Sequence, residues 1–130
     1  MTESYKLPSN ELIFELSEIG EETKQAWNGR FVYKRPNIGK RLLVATTATR
    51  LLGEADKLSI EITNLAGILA KLQHCLIEYP EWWKNSNFGK DLYDLNIILS
   101  IFNKCQEFDD EYEKKVFGDN IEDIKIKTKK

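Results

Sequence analysis

The sequence predicts a mainly helical α+β domain: a small three-helix bundle with an amino-terminal β-hairpin and a flexible carboxyl-terminal tail. Near the amino end, apolar and polar residues alternate, whereas three later stretches repeat apolar residues every three or four positions. The 130 residues, of which 42% are hydrophobic, suffice for one buried core. We therefore expect a single domain over residues 11–117, preceded by a loose arm at 1–10 and followed by a flexible charged tail at 118–130.

The predicted β-hairpin covers residues 11–35. Its first strand contains ELIFELS, whose alternation indicates a strand with one buried face. Gly20 and its acidic neighbours form the turn. The second strand, at about residues 24–35, is rich in the aromatic and β-branched residues that sheets favour. Asn28-Gly29 in its middle indicates a bulge or a second tight turn, because both residues tolerate positive φ.

The first two predicted helices cover about residues 37–53 and 59–79. Gly53 is a natural terminator of the first, Ser59 can cap the second, and Pro80 should end it. The first helix should cover one side of the core with a face formed by Ile38, Leu42, Ala45, Thr49 and Leu52. The second should be the central helix, with a seam formed by Leu58, Ile62, Leu65, Leu69, Leu72, Leu76 and Tyr79.

The third predicted helix covers about residues 87–117 and is capped by Ser86 or Asn87. Toward its end the chain becomes acidic, with eight carboxylates between Gln106 and Ile124, before it closes on the basic run KIKTKK. The apolar face of this helix is expected to contain Phe88, Leu92, Leu95, Ile98, Leu99, Phe102, Cys105, Phe108 and Tyr112.

The net charge and the cysteines of the sequence indicate which class of partner to expect and in which cellular compartment the protein is located. The net charge of −2 argues against a general nucleic-acid binder, which needs clustered cations. No secretory signal and no membrane-spanning stretch are expected, so the predicted location is the cytoplasm. Cys75 and Cys105 are predicted to be buried free thiols, with a disulfide as the alternative.

No pattern in the sequence predicts an enzyme, a cofactor or a metal site. His74 and Cys75 diverge by about 100° around a helix, so they cannot converge on one ion or form a nucleophile pair. Asp109, Asp110 and Glu111 are interpreted as a solvated helix face, with an acid/base pair or a cation site as the alternative. The glycine-rich loops that hold phosphates are absent from the sequence.

The adjacent residues Trp82 and Trp83 are the strongest candidates for a protein-binding site. Neighbouring side chains at a helix junction diverge, so one ring should pack inward while the other lies at the surface, where tryptophan is a typical interface anchor. The alternative is that both rings close the end of the bundle. Tyr79, Trp27 and Tyr33 complete the candidate protein-binding set, and for Trp27 and Tyr33 packing within the hairpin is the alternative.

The order of several segments resembles the small tail assembly chaperones of long-tailed, siphovirus-type bacteriophages. The resemblance covers Phe31 to Tyr112, about two thirds of the chain. Its strongest part is Ala66 to Trp83, a helix followed by a proline, an acid and tryptophans. The other segments that carry it are FVYKRP, TRLLG and the acidic FDDEYEKK.

This resemblance implies a non-catalytic protein of the bacterial host cytoplasm. Members of the family bind the long helical tape-measure protein, keep it soluble and help recruit tail-tube subunits. The implied partners are therefore the tape-measure and tail-tube proteins. Self-association into a homo-oligomer is compatible with the sequence. Two alternatives are a structural subunit of a virion, such as a connector or tail component, and a small acidic protein-binding or inhibitor protein.

Overall fold

The computed structural model describes residues 7–53 and 59–118, and these form a mixed α and β structure. Residues 1–6 of the predicted arm (1–10) and 119–130 of the predicted tail (118–130) lie outside the described residues, as does Leu58. Three strands form an antiparallel sheet in the order β1-β2-β3. Along the chain the elements are β1 (Glu11–Ile19), β2 (Ala26–Lys34), α1 (Ile38–Leu52), α2 (Ile60–Cys75), β3 (Leu76–Glu78), α3 (Glu81–Asn85) and α4 (Leu95–Phe117).

The predicted hairpin is present as strands β1 and β2. They pair without interruption from Glu11 opposite Lys34 to Ile19 opposite Ala26. Asn28-Gly29 produces neither a bulge nor a second turn. Gly29 instead lies under Pro80, whose Cγ would be 2.5 Å from a Cβ at that position, so a side chain there would collide with the proline ring.

Helix α2 ends earlier than predicted, because the chain changes from helix to strand before Pro80. Cys75 is the last helical residue, and Leu76 is extended with φ −81° and ψ 112°. The following residues form β3, which pairs with the open edge of β2. The backbone groups of β3 therefore form hydrogen bonds with β2 instead of with a further turn of helix. The predicted cap of α2 is confirmed, because Ser59 Oγ accepts a hydrogen bond from the Ile62 N–H at 3.1 Å.

The predicted third helix divides into turns and a shorter helix, α4. Asn87, Phe88 and Gly89 all have positive φ, which a right-handed helix does not contain. A Cβ on Gly89 would lie 2.7 Å from Trp83 Cη2, so the turn requires glycine. The short helix α3 follows Pro80, and α4 begins only after Asp94.

The helices agree only loosely with a three-helix bundle, because each packs mainly on the next helix or on the sheet and the three do not surround one shared core. Helix α1 packs mainly on α2, α2 touches α4 and β3, and α4 packs on β1. The predicted inner face of α1 is largely turned outward: Ile38 is 75% exposed and Leu42 65%, while Thr47 on the opposite side is buried. The core is formed by Phe14, Leu16, Phe31, Tyr33, Leu72, Cys75, Leu76, Trp83, Ile97, Ile98, Ile101 and Cys105.

A buried carboxylate, Asp94, attaches the hairpin turn to the start of α4. Its Oδ1 accepts the backbone N–H groups of Glu22 and Thr23 at 2.8 and 2.9 Å. Its Oδ2 accepts the Thr23 hydroxyl at 2.5 Å and the Trp27 indole N–H at 2.9 Å. Gly20 packs so closely on this carboxylate that a Cβ there would overlap it. Asp94 therefore fixes the position of the turn relative to the helix.

Burial raises the pKa of Asp94, but the hydrogen bonds from Thr23, Trp27 and Glu22 outweigh it and lower the pKa from 3.8 to about 2. The charged form is thus favoured in the folded protein. The resulting stability is present above pH 4 and is lost as the pH falls through the folded pKa.

We expect Asp94→Asn to lower the Tm at pH 7 by several degrees, because an amide turns a donor toward some of these N–H and O–H groups. The variant should also lose much of the decline in Tm that the native protein shows between pH 4 and 2. Circular dichroism melts across that range measure both effects. Asp91→Asn, at an exposed position nearby, is the matched control, and equal behaviour of the two variants would contradict this role for Asp94.

Candidate functional site

The two adjacent tryptophans both pack against the sheet. Trp83 is fully buried and meets Phe31 edge to face, with ring centroids 6.1 Å apart. Trp82 is partly buried against Trp27 at 4.8 Å, and its indole N–H donates to the Asn28 carbonyl at 2.7 Å. The pair diverges as expected, but the outer ring covers the edge of the core.

The other aromatic candidates are packed in the same way. Tyr33 is fully buried, and Tyr79 is partly buried with its ring 5.8 Å from that of Phe88. Burial of Trp83 and Tyr33 argues against both as contact residues, because neither has accessible surface while the fold is intact. Trp27, Trp82 and Tyr79 retain partial exposure, and contact through them stays a prediction.

Asp109 contradicts the predicted solvated acidic face. This residue is buried, and its carboxylate accepts the Tyr33 hydroxyl at 2.8 Å, Lys71 Nζ at 2.7 Å and Arg35 Nε at 3.0 Å. The carboxylate therefore joins β2, α2 and α4. Its position was readable in part, because Asp109 follows Ile101 and Cys105 at intervals of four and so shares their helix face. Neighbouring Asp110 is exposed, as predicted.

The nucleophilic side chains in this region are held in their protonated forms. Burial, followed by the hydrogen bond to Asp109 and its charge, raises the pKa of Tyr33. Burial raises the pKa of Cys105 to about 12, and it also raises that of Cys75. Both cysteines are free and buried, as predicted. Since the thiolate is the reactive form, these thiols have little nucleophilic character.

His74 lies between α1 and α2, with Nε2 2.7 Å from the Thr47 hydroxyl. Burial and then the charges of Lys40, Arg50 and Lys90 lower its pKa, so the ring is neutral at pH 7. Within residues 7–53 and 59–118, no group of three or more His, Cys, Asp or Glu side chains is arranged to hold a metal ion.

The most distinctive accessible feature is an apolar face on α1. We call Ile38, Leu42, Ala45 and Thr49 the α1 stripe, because their spacing places them on one side of the helix. All four are exposed, and they lie opposite Thr47, which packs toward α2. Leu43, farther around the helix toward Thr47, is 49% exposed, and Ile60 at the start of α2 is 79% exposed. This surface has no reactive groups but is suited to burying an apolar partner.

Comparison with protein-family models, with curated proteins and with solved structures finds no match. None of the helices in the described part of the chain has the length and apolar character needed to cross a membrane.

We expect Asp109→Asn to reduce the free energy of unfolding by about 3 kcal/mol, because in a largely buried setting it removes the carboxylate that pairs with Lys71 and the nearer of the two that pair with Arg35. Asp110→Asn removes the same charge one position away, at an exposed site, and should cost less than about 0.5 kcal/mol. Urea denaturation measures both values. Similar losses for the two variants would show that the Asp109 network does not stabilise the fold.

Proposed function

We propose that this protein is a non-catalytic tail assembly chaperone of a long-tailed bacteriophage. In this role it binds the tape-measure protein in the bacterial cytoplasm, keeps it soluble and helps recruit tail-tube subunits. The observation that carries the proposal is the outward apolar face of α1. The resemblance of Phe31 to Tyr112 to such chaperones supplies the class of client.

The α1 stripe has the chemistry needed to bind an amphipathic helix. Ile38 and Leu42 supply large apolar side chains at one end of the stripe. At the other end, Ala45 and Thr49 have small side chains, so that a second helix can approach closely. Exposed Arg41 and Arg50 lie to either side of the stripe and provide a polar rim. Such a rim favours a client helix with flanking carboxylates.

The attachment of α1 also suits a client-binding role. The helix packs mainly on α2, so its outer face can bind without disturbing the sheet. Its ends are fixed locally: Asn37 Oδ1 accepts the Lys40 N–H at 2.9 Å, and Gly53, with φ 69°, donates to the Thr49 and Arg50 carbonyls. A preformed helix loses less conformational entropy on binding than a disordered segment.

Co-expression with a tape-measure protein tests this proposal. The native chain should raise the soluble yield of the client and copurify with it. Leu42→Glu should reduce the recovered complex by about tenfold or more, because a charge at the centre of an apolar contact must be desolvated.

Thr46→Glu is the matched control, since it adds the same charge at an exposed position of α1 beside the stripe. It should leave most of the complex intact, and circular dichroism should show both variants folded. The proposal fails if client solubility does not depend on this protein, or if the two variants behave alike.

A structural subunit of a virion is the second candidate, and the sheet supplies an observation in its favour. Strand β1 is nine residues long and lies at the edge of the sheet, so its outer backbone groups can pair with a strand from a neighbour. Exposed Ile13 and Ile19 would then be covered.

Mass spectrometry of purified particles separates these two functions. A chaperone should be missing from finished particles, whereas a structural subunit should be present in a fixed ratio to the tail-tube protein. Recovery in that fixed ratio would replace the chaperone proposal with the structural one.

A further inference from the structure

A cationic cavity of about 360 Å³ lies where β2 ends and α1 begins. His74 in the last turn of α2 and Tyr112 of α4 also line it. The residues important for its chemistry are Lys34, Arg35, Asn37, Lys40, His74 and Tyr112. Its volume falls within the range typical of small-ligand sites.

The lining of this cavity contains cations and no carboxylate. In the described part of the chain, neither Lys34 Nζ nor Lys40 Nζ forms an ion pair. Arg35 is paired with Asp109 and has an Nη 3.9 Å from Glu113, while Lys71 shares Asp109. The charges of Arg35 and Lys71 are thus balanced by those of Asp109 and Glu113, and the local excess of positive charge comes from Lys34 and Lys40.

Part of this lining is held in a fixed orientation. The Arg35 guanidinium stacks 4.0 Å above the centre of the Tyr112 ring, and its Nε is fixed by Asp109. The first turn of α1 contains no acidic residue, so no carboxylate there offsets the positive end of the helix dipole. A site whose charges are already oriented pays little reorganisation cost when an anion binds.

We propose that this cavity binds an oxyanion, a phosphate or a carboxylate group, carried by a molecule that fills the remaining volume. Lys34 and Lys40 supply the unpaired charges, and Arg35 supplies an oriented guanidinium. The site is independent of the proposed chaperone function, because Lys40 lies on the α2 side of α1 and the α1 stripe lies on the opposite side. Either proposal can fail without the other.

His74 provides a direct probe, because it is the only histidine and lines the cavity. Its pKa is lowered by burial and then by Lys40, Arg50 and Lys90, so a bound anion should raise it. The experiment follows the His74 ring protons by NMR from pH 5 to 8 with the full chain. Sodium sulfate represents a phosphate dianion without titrating in this range, sodium acetate represents a carboxylate, and sodium chloride at equal ionic strength is the reference.

We expect a saturable rise in the His74 pKa with sulfate, with acetate or with both, beyond the effect of chloride. A response to sulfate alone assigns a phosphate-type ligand, and a response to acetate alone assigns a carboxylate. Lys40→Met should lower the affinity for whichever anion binds by about fivefold to tenfold, because it removes one charge-assisted contact. Lys104→Met, at an exposed position of α4 outside the cavity lining, should leave its affinity unchanged.

The proposal is overturned if both oxyanions act as chloride does. It is also overturned if Lys40→Met leaves the anion affinity of a folded protein unchanged, or if Lys104→Met lowers that affinity equally. A measurement of the Lys40→Met variant without added oxyanion is a control for the His74 signal, since loss of the Lys40 charge should by itself raise the His74 pKa.

Discussion

The Asp109 carboxylate is the interaction on which the arrangement of the other elements depends. It receives a hydroxyl from β2, an ammonium from α2 and a guanidinium from the segment between β2 and α1. A buried carboxylate is unfavourable unless it is paired and hydrogen-bonded, so this contact favours an arrangement that brings β2, α2 and α4 together. Apolar packing favours collapse of the chain, whereas this network selects one geometry for it.

The same network connects the core to both accessible surfaces. Arg35 is oriented by Asp109 on one side and by the Tyr112 ring on the other, which places a guanidinium in the wall of the cationic cavity. Two residues later, Asn37 begins α1. The Arg35 contacts therefore lie directly before the helix that carries the α1 stripe.

Local signals in the sequence predicted the elements whose structure is determined locally. Alternation identified the hairpin, and the Ser59 hydroxyl identified the start of α2. The end of α2 was missed because β3 forms only when the edge of β2 is available, and sequence periodicity does not contain that information. The outward face of α1 was missed for a related reason. Its apolar spacing shows that the residues share a face, but it does not show what covers that face.

Charged residues were the least predictable part of the candidate sites. Asp109 and Asp110 are adjacent and chemically identical, yet one is buried in an ion-pair network and the other is exposed. Only helix phase distinguishes them. The tryptophan pair was also difficult to predict. Both residues are of a type common at interfaces, yet here they pack on β2 at the edge of the core.

Two buried carboxylates, Asp94 directly before α4 and Asp109 within it, attach the helix to β2 at two points. Asp94 binds Trp27 and Asp109 binds Tyr33. The helical path between the carboxylates is about 22 Å, and the strand path between the aromatic residues is about 20 Å. The two attachment points are therefore nearly equally spaced along the strand and along the helix. One inserted residue between Trp27 and Tyr33 would reverse the strand's alternation, so that only one of the two joints could close.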